Sequence, residues 1–186
     1  MMNRTRAEGG ARTGNPQGIA LPGILLGIGL GGFADGILLH QILQWHHMLT
    51  SAATANINIG DYSPTTVHGL QVNTLWDGLF HLVTWLAVLA GLGILYSRVT
   101  HSRGRVWASR VLWGWILAGW GLFNVVEGII DHHILGIHHV ISGPNQTLAD
   151  ISFLVFGALL ILGGWALQRS GRPVETQIPS GSAELR

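Results

Sequence analysis

Cysteine and lysine are both absent from this chain, and charge of either sign is scarce. Without cysteine the protein has no disulfide, no thiolate zinc site and no cysteine-ligated iron–sulfur cluster. Any metal ion must therefore be held by nitrogen and oxygen ligands, apart from a methionine thioether. Charged residues make up 10% of the 186 residues, with a net charge of +1, whereas about 25% is usual in soluble domains. We expect no nucleic-acid partner.

The residues that are abundant instead are apolar. Hydrophobic residues account for 48% of the chain, the mean hydropathy is +0.39, and there are 27 Gly and 8 Trp. Four stretches can each supply the ~20 apolar residues that cross ~30 Å of hydrocarbon; they are 19–43, 75–96, 106–130 and 148–167. The sequence predicts an all-α, four-helix transmembrane bundle over residues 18–168, with the lipid bilayer as its surroundings. Residues 1–17 and 169–186 are polar and are expected to be disordered tails.

Arginine placement predicts the orientation of the bundle. The arginines lie before the first stretch, around the link between the second and third, and after the fourth; they are Arg4, Arg6, Arg12, Arg98, Arg103, Arg105, Arg110, Arg169, Arg172 and Arg186. The loops near 50–70 and 136–147 contain none. Because positive charge is retained on the cytoplasmic side, we expect a multi-pass protein of the inner (plasma) membrane with both termini in the cytoplasm.

One polar pattern occurs twice, each time near the end of an apolar stretch. Asp35 is followed by Gly36, His40 and the pair His46-His47; Glu127 is followed at the same distances by Gly128, His132 and the pair His138-His139. The two copies are 92 residues apart. Histidines and carboxylates grouped in this way are typical metal ligands, and they lie where polar groups are least favourable.

The helices that follow carry a second, shorter match. Thr74-Leu-Trp-Asp77 corresponds to Thr147-Leu-Ala-Asp150 at an offset of 73 residues. Together the matches predict two repeated helical hairpins, about 18–96 and 106–168, related by a pseudo-twofold axis along the membrane normal. The spacing Thr-x-x-Asp is equally typical of a helix-capping box, so Asp77 and Asp150 have two interpretations at this stage, capping and metal binding.

Helical geometry selects the residues that can share a centre. An ionisable side chain inside a membrane helix costs about 3 kcal/mol, so it is usually paired, turned inward and functional. At ~100° per residue, Asp77 and His81 share one face, while Asp35 and Glu127 lie ~140° from the histidines that follow them. The best convergent set is His40, Asp77, His81, Asp131 and His132. Further candidates, as deeper or outer ligands or as partners that orient imidazoles, are Asp35, Glu127, His47 and His139. No catalytic residue is assigned.

Glycines recur at spacings that bring helices together. Gly23, Gly27 and Gly31 form a four-residue ladder on the first helix, and Gly32 and Gly36 form a second. Small residues allow close helix contact in lipid. We expect packing inside the chain, and a homodimer contact through the first helix is the alternative.

The phrases Gly-Phe-Ala-Asp-Gly-Ile-Leu-Leu-His-Gln-Ile-Leu-Gln-Trp-His-His, Leu-Trp-Asp-Gly-Leu-Phe-His and Asn-Val-Val-Glu-Gly-Ile-Ile-Asp-His-His-Ile-Leu-Gly-Ile-His-His resemble the bacterial predicted membrane protein family known as domain of unknown function 2243. The resemblance covers about residues 18–168. It implies a four-helix membrane protein and no particular activity.

Three functions fit these residues. The first is a membrane metal-binding protein with a His/carboxylate site near the outer face, with one or two ions of Zn, Cu, Fe or Mn. Such a site serves either metal-dependent redox or hydrolytic chemistry, as in a membrane oxidoreductase or hydrolase, or metal handling. The second is haem b held by two histidines, such as His81 with His40 or His132. The third is a metal-free His/carboxylate bundle that responds to protons. A metallochaperone or a respiratory-chain protein would suit the first function as a partner.

Overall fold

The computed structural model describes residues 16–50, 62–101 and 108–170, and within these ranges the chain is helical without a strand. A short 3₁₀ turn over Pro16–Ile19 leads into the first helix. The four helices are α1 (Ala20–Ala34), α2 (Val67–His101), α3 (Ser109–Glu127) and α4 (Gln146–Ser170). Two of them continue as π-helix, α1 through the first π segment (Asp35–Ile42) and α3 through the second π segment (Gly128–Leu135). The predicted tails fall on 1–15 and 171–186, outside the described residues.

All four helices are long and apolar enough to cross a membrane, as the sequence predicts. The helices α1 and α3 pack against each other in the centre, α2 packs on the far side of α1, and α4 packs on the far side of α3. Half of the most apolar part of α1 is buried, against 11% for α2. In the three described ranges the backbones of α2 and α3 stay more than 8 Å apart, as do those of α1 and α4, and the rings of Phe80 and Phe123 meet between α2 and α3. The bundle is therefore a row of four helices with a gap on each side.

The second helix begins earlier than expected, at Val67, because Thr66 caps it. The Thr66 hydroxyl accepts a hydrogen bond from the amide of Gly69 at 3.0 Å, which is the usual N-cap geometry. Thr74 lies two turns inside the helix, where its hydroxyl donates to the carbonyl of Leu70. The capping interpretation of Thr74 and Asp77 is therefore wrong, and Asp77 is free for other partners.

The capping interpretation of Asp150 also fails. Its helix begins at Gln146, but both carboxylate oxygens bind groups in the preceding loop. Oδ1 accepts the amide of Val140 at 3.0 Å, and Oδ2 lies 2.7 Å from His139 Nδ1. Both aspartates thus tie a helix to a loop at one end of the bundle.

Glycines set the distance between α1 and α3. A Cβ atom on Gly27 would lie 2.0 Å from the carbonyl oxygen of Ile116, and one on Gly119 would lie 2.3 Å from the carbonyl oxygen of Ile24. Both distances are shorter than real Cβ contacts allow. Gly23 and Gly31 of the same ladder also face α3, whereas Gly32 and Gly36 face α2. Both ladders pack against helices of the same chain, so a homodimer would need another surface.

We expect Gly27→Ala to lower the free energy of unfolding by at least ~2 kcal/mol, because α1 and α3 would have to move apart. Gly93→Ala is the matched control, since nothing lies within 4 Å of the added Cβ and alanine favours the helix by ~0.5–1 kcal/mol. Thermal unfolding in detergent measures both. Equal midpoints for the two variants would contradict the close crossing of the inner helices.

Candidate metal centre

The two π segments bring the duplicated carboxylate and histidine onto one face. A π-helix bonds residue i to i+5, so residues five apart are neighbours along its side. Asp35 and His40 are such a pair, and Asp35 Oδ2 lies 3.0 Å from His40 Nε2. The ~140° separation expected from α-helical geometry therefore does not apply here. Glu127 and His132 have the same spacing across the start of the second π segment.

A residue with left-handed backbone follows each π segment, two residues after the first and directly after the second, and turns the chain back over the end of the bundle. These residues are Gln44, with φ 51°, and Gly136, with φ 61°. After the turns, His46 and His138 enter the interior, where they are 1% and 0% exposed. Their rings stack with centroids 4.8 Å apart and planes 8° from parallel. The two turns thus deliver one further imidazole each to the space between α1 and α3.

Three buried imidazoles are each held by their Nδ1 atom. His46 Nδ1 donates to the carbonyl of Val140 at 3.0 Å, and His138 Nδ1 donates to the carbonyl of Met48 at 3.1 Å. His40 Nδ1 donates to Asp77 Oδ1 at 2.9 Å. In the rings of His46 and His138, Nε2 is buried and forms no hydrogen bond, while the buried Nε2 of His40 lies 3.0 Å from Asp35 Oδ2. A metal-bound histidine shows this pattern, because the bond at one nitrogen fixes the ring and leaves the other nitrogen for the ion.

Asp77 and Asp150 anchor the two loops that follow the π segments. Besides His40, Asp77 accepts hydrogen bonds from the ring of His47 at 2.7 Å and from the amide of Met48 at 2.9 Å. Asp150 binds His139 and Val140 as described above, and its Oδ1 lies 3.5 Å from His132 Nδ1. Met48 and Val140 are the residues whose carbonyls hold His138 and His46. Each aspartate therefore positions imidazoles both directly and through the loop that it anchors.

Two groups of four side chains offer ligand atoms that all lie within 4.8 Å of one another. One group consists of His46, Glu127, His132 and His138; the other consists of Asp35, His40, His46 and Glu127. All six residues are buried. In the described part of the chain they also contribute eight of the ten buried side-chain atoms that form no conventional hydrogen bond, although two of the eight, Asp35 Oδ2 and His40 Nε2, face each other at 3.0 Å. Buried polar groups are normally paired, so this concentration makes the six residues the candidate site.

Burial keeps the imidazoles of His46 and His138 neutral. Loss of hydration lowers the pKa of His46 to about 4. Desolvation, together with the neighbouring His46, lowers the pKa of His138 well below its usual value. Both rings are therefore uncharged at neutral pH, which is the form that binds metal. Glu127 is 5% exposed, its oxygens form no hydrogen bond, and its Oε1 lies 3.8 Å from His138 Nε2.

The structure brings some of the predicted residues together and leaves others outside. Of the best set, His40 and His132 belong to the groups of ligand atoms, and so do the further candidates Asp35 and Glu127. Asp77 is hydrogen-bonded to one of these residues, while His47 and His139 bind the outer sides of Asp77 and Asp150. His81 donates to the backbone carbonyl of Asp77, and Asp131 lines a neighbouring cavity. The roles of these residues as ligands stay predictions.

Sequence reasoning missed His46 and His138. Extending each helix to residue 47 or 139 placed the second histidine of each pair on the ligand face, whereas the helices end at Ile42 and Leu135. Gly136 is typical of a helix end, and this signal could have identified His138, the first histidine of its pair, as a residue beyond the helix.

Comparison with known proteins identifies the family. The sequence model of DUF2243, described as predicted membrane protein, matches residues 22–171. The chain belongs to this family. Neither the curated proteins nor the solved structures include a match, so the geometry of the centre is the main source of information on function in this DUF2243 protein.

Asp77→Ala should free the loop that carries His46, because Met48 N and His40 Nδ1 both lose their partner. A lost buried hydrogen-bond partner costs about 2 kcal/mol, so we expect amide exchange at Met48 to accelerate about 30-fold. Hydrogen exchange with mass spectrometry measures this. Thr74→Ala, an exposed position one turn away, is the control. Unchanged protection in Asp77→Ala would show that the carboxylate does not anchor the loop.

Proposed function

We propose that this chain is an integral membrane protein with a resident metal centre of imidazoles and carboxylates, used for metal-dependent redox or hydrolytic chemistry. The observation that carries the proposal is the set of three Nδ1-anchored imidazoles whose Nε2 atoms face the carboxylates of Asp35 and Glu127 at 3.0–3.9 Å. Without an ion, this arrangement leaves polar atoms buried and unpaired at a cost of ~1–3 kcal/mol each. An ion removes that cost by binding the atoms that hydrogen bonds leave free.

The donor set determines which ions fit. Four imidazoles and two carboxylates, without a thiolate, suit Zn, Cu(II), Fe or Mn. His46 and Glu127 belong to both groups of ligand atoms. A carboxylate has two oxygens, so Glu127 suits a bridge between two ions, as in the di-metal sites of helix bundles. The proposed centre accordingly holds one ion, or two that share Glu127.

The distribution of ionisable side chains favours an ion that stays in the centre over an ion that crosses the membrane. The ionisable side chains of the spans gather at one end, where the π segments, Asp77 and Asp150 lie, and the other half of α2 has no Asp or Glu before Arg98. An ion crossing the membrane would need polar groups along its path. Metal handling at one membrane face remains the second use of the same centre.

The close packing of the rings favours a small ion over haem b. The ring centroids of His40 and His46 are 4.4 Å apart, and those of His132 and His138 are 5.0 Å apart. A porphyrin needs its axial histidines on opposite sides of a wide plane, and rings packed edge to face leave no such gap. The unpaired atoms of the centre likewise favour an ion over a metal-free, proton-responsive bundle.

The two halves of the centre also support the repeated hairpins. Contacts recur at the offsets of 92 and 73 residues: His47 with Asp77 matches His139 with Asp150, and each pair is 2.7 Å apart. The bonds from His46 to Val140 and from His138 to Met48 are reciprocal between the halves. We therefore propose two related hairpins with the ion near their pseudo-twofold axis. The arginine distribution supports a position of this centre near the outer face of the inner membrane, with the termini in the cytoplasm.

Metal content of the purified, untagged protein tests the centre. The wild type should carry stoichiometric transition metal. His138→Ala and His132→Ala should each lower it at least tenfold, because each removes a ligand. His101→Ala is the control, since His101 is exposed at the opposite end of α2 and should leave the metal in place. Elemental analysis measures the metal-to-protein ratio of the wild type and of the three variants.

Two outcomes would contradict the proposal. One is a wild type without metal after growth in metal-replete medium. The other is equal metal retention in His138→Ala and His101→Ala. A Soret band in the wild type would instead establish haem.

Orientation can be tested with single cysteines, because the chain has none of its own. Ser142→Cys lies in the loop beside the centre, and Thr100→Cys lies at the far end of α2; both positions are exposed. In intact cells a membrane-impermeant maleimide should label only Ser142→Cys, and permeabilisation should expose Thr100→Cys. The reverse pattern would place the centre on the cytoplasmic side.

A further inference from the structure

The gap between α2 and α3 forms a cleft that reaches the proposed metal centre from the side. We name it the lateral cleft; its lining residues are Ile28, Met48, Phe80, Leu122, Phe123, Val126, Glu127 and Asp131. Its volume is about 280 Å³. Leu122 and Val126 are 41% and 45% exposed within a membrane-spanning helix. The mouth of the cleft therefore opens towards lipid.

The chemistry of the cleft changes from its mouth to its inner end. Its walls are apolar, and two of them are the rings of Phe80 and Phe123, with centroids 6.0 Å apart. Among its described lining residues, the ionisable ones are Glu127 and Asp131. Glu127 is 5% exposed and its oxygens form no hydrogen bond, the nearest imidazole nitrogen to Oε1 being His138 Nε2 at 3.8 Å; it also belongs to both groups of metal-ligand atoms. A molecule in the cleft thus meets hydrocarbon first and a carboxylate last.

The gap on the opposite side of the row lacks this chemistry. A second cavity of about 620 Å³ lies between the first π segment and α4, and its lining includes Leu39, Val140 and Phe153 but no carboxylate. Leu39 occupies the position that Asp131 has in the other copy of the pattern. The pair of carboxylates is therefore specific to the lateral cleft.

We propose that the lateral cleft admits the ring of a phenol or hydroquinone dissolved in the bilayer and presents its hydroxyl group to Glu127. The hydroxyl supplies the hydrogen-bond donor that the carboxylate lacks, and the two phenylalanines supply aromatic contact. An apolar cavity of ~150 Å³ holds a benzene molecule, so the cleft has room for one substituted ring. The inference rests on the proposed metal centre only in that Glu127 would place this ligand beside the ion.

Binding of trimethylphenol to the full-length protein in detergent tests the proposal, with its methyl ether as the matched ligand. The ether has the same ring but no hydroxyl donor, so we expect it to bind about tenfold more weakly. Val126→Phe fills the mouth of the cleft and should weaken trimethylphenol binding about tenfold. Val155→Phe is the control, because Val155 is 52% exposed on α4 and lines neither cavity.

Saturation-transfer NMR gives the affinities, and elemental analysis of the same samples gives the metal content. Weaker binding in Val126→Phe with its metal content unchanged supports the cleft. Leu122→Phe serves as a second blocking variant if Val126→Phe fails to fold. Equal affinity for phenol and ether, or wild-type affinity in both blocking variants, would overturn the proposal. A metal-free wild type that shows the expected binding pattern would contradict the metal centre alone and would support the cleft.

Discussion

The centre depends on how three of its four buried imidazoles are each held by one nitrogen. The carbonyls of Val140 and Met48 fix His46 and His138, and the carboxylate of Asp77 fixes His40. Each bond selects the tautomer that turns Nε2 inward. Two of the bonds cross between the halves of the chain. The loop that contains Met48 and the loop that contains Val140 therefore cannot move without releasing an imidazole of the other half. The positions of the two loops therefore determine the orientations of the rings, and the rings determine the geometry of the centre.

The inner helices make this arrangement possible. Gly27 and Gly119 let α1 and α3 approach until backbone meets backbone, and beyond this crossing ligand atoms from both halves of the chain lie within 4.8 Å of one another. A π-helix is rare and is often found at functional sites. Here its i to i+5 spacing turns Asp35 towards His40 instead of away from it. The departure from α-helix occurs where the polar groups lie, so the local backbone and the site depend on each other.

The membrane spans and four of the six residues of the centre were predictable from the sequence. Hydropathy alone locates the four spans, because in lipid only a long apolar helix satisfies its own backbone. The costly carboxylates and histidines at 35, 40, 127 and 132 stand out for the same reason. His46 and His138 did not, because their positions depend on where the helix ends and on the left-handed turns at Gln44 and Gly136. The capping pattern that begins at Thr74 does not mark the start of α2, because it occurs two turns inside a helix that Thr66 caps.

The proposed ion would be coordinated by imidazole and carboxylate from both halves of the chain, within a bundle otherwise dominated by apolar residues. X-ray absorption spectroscopy at the metal edge of the untagged protein tests this claim most directly. The account predicts a first shell of nitrogen and oxygen at ~2.0–2.2 Å, with outer-shell scattering from at least three imidazole rings. A shell dominated by sulfur, or one without imidazole scattering, would contradict it.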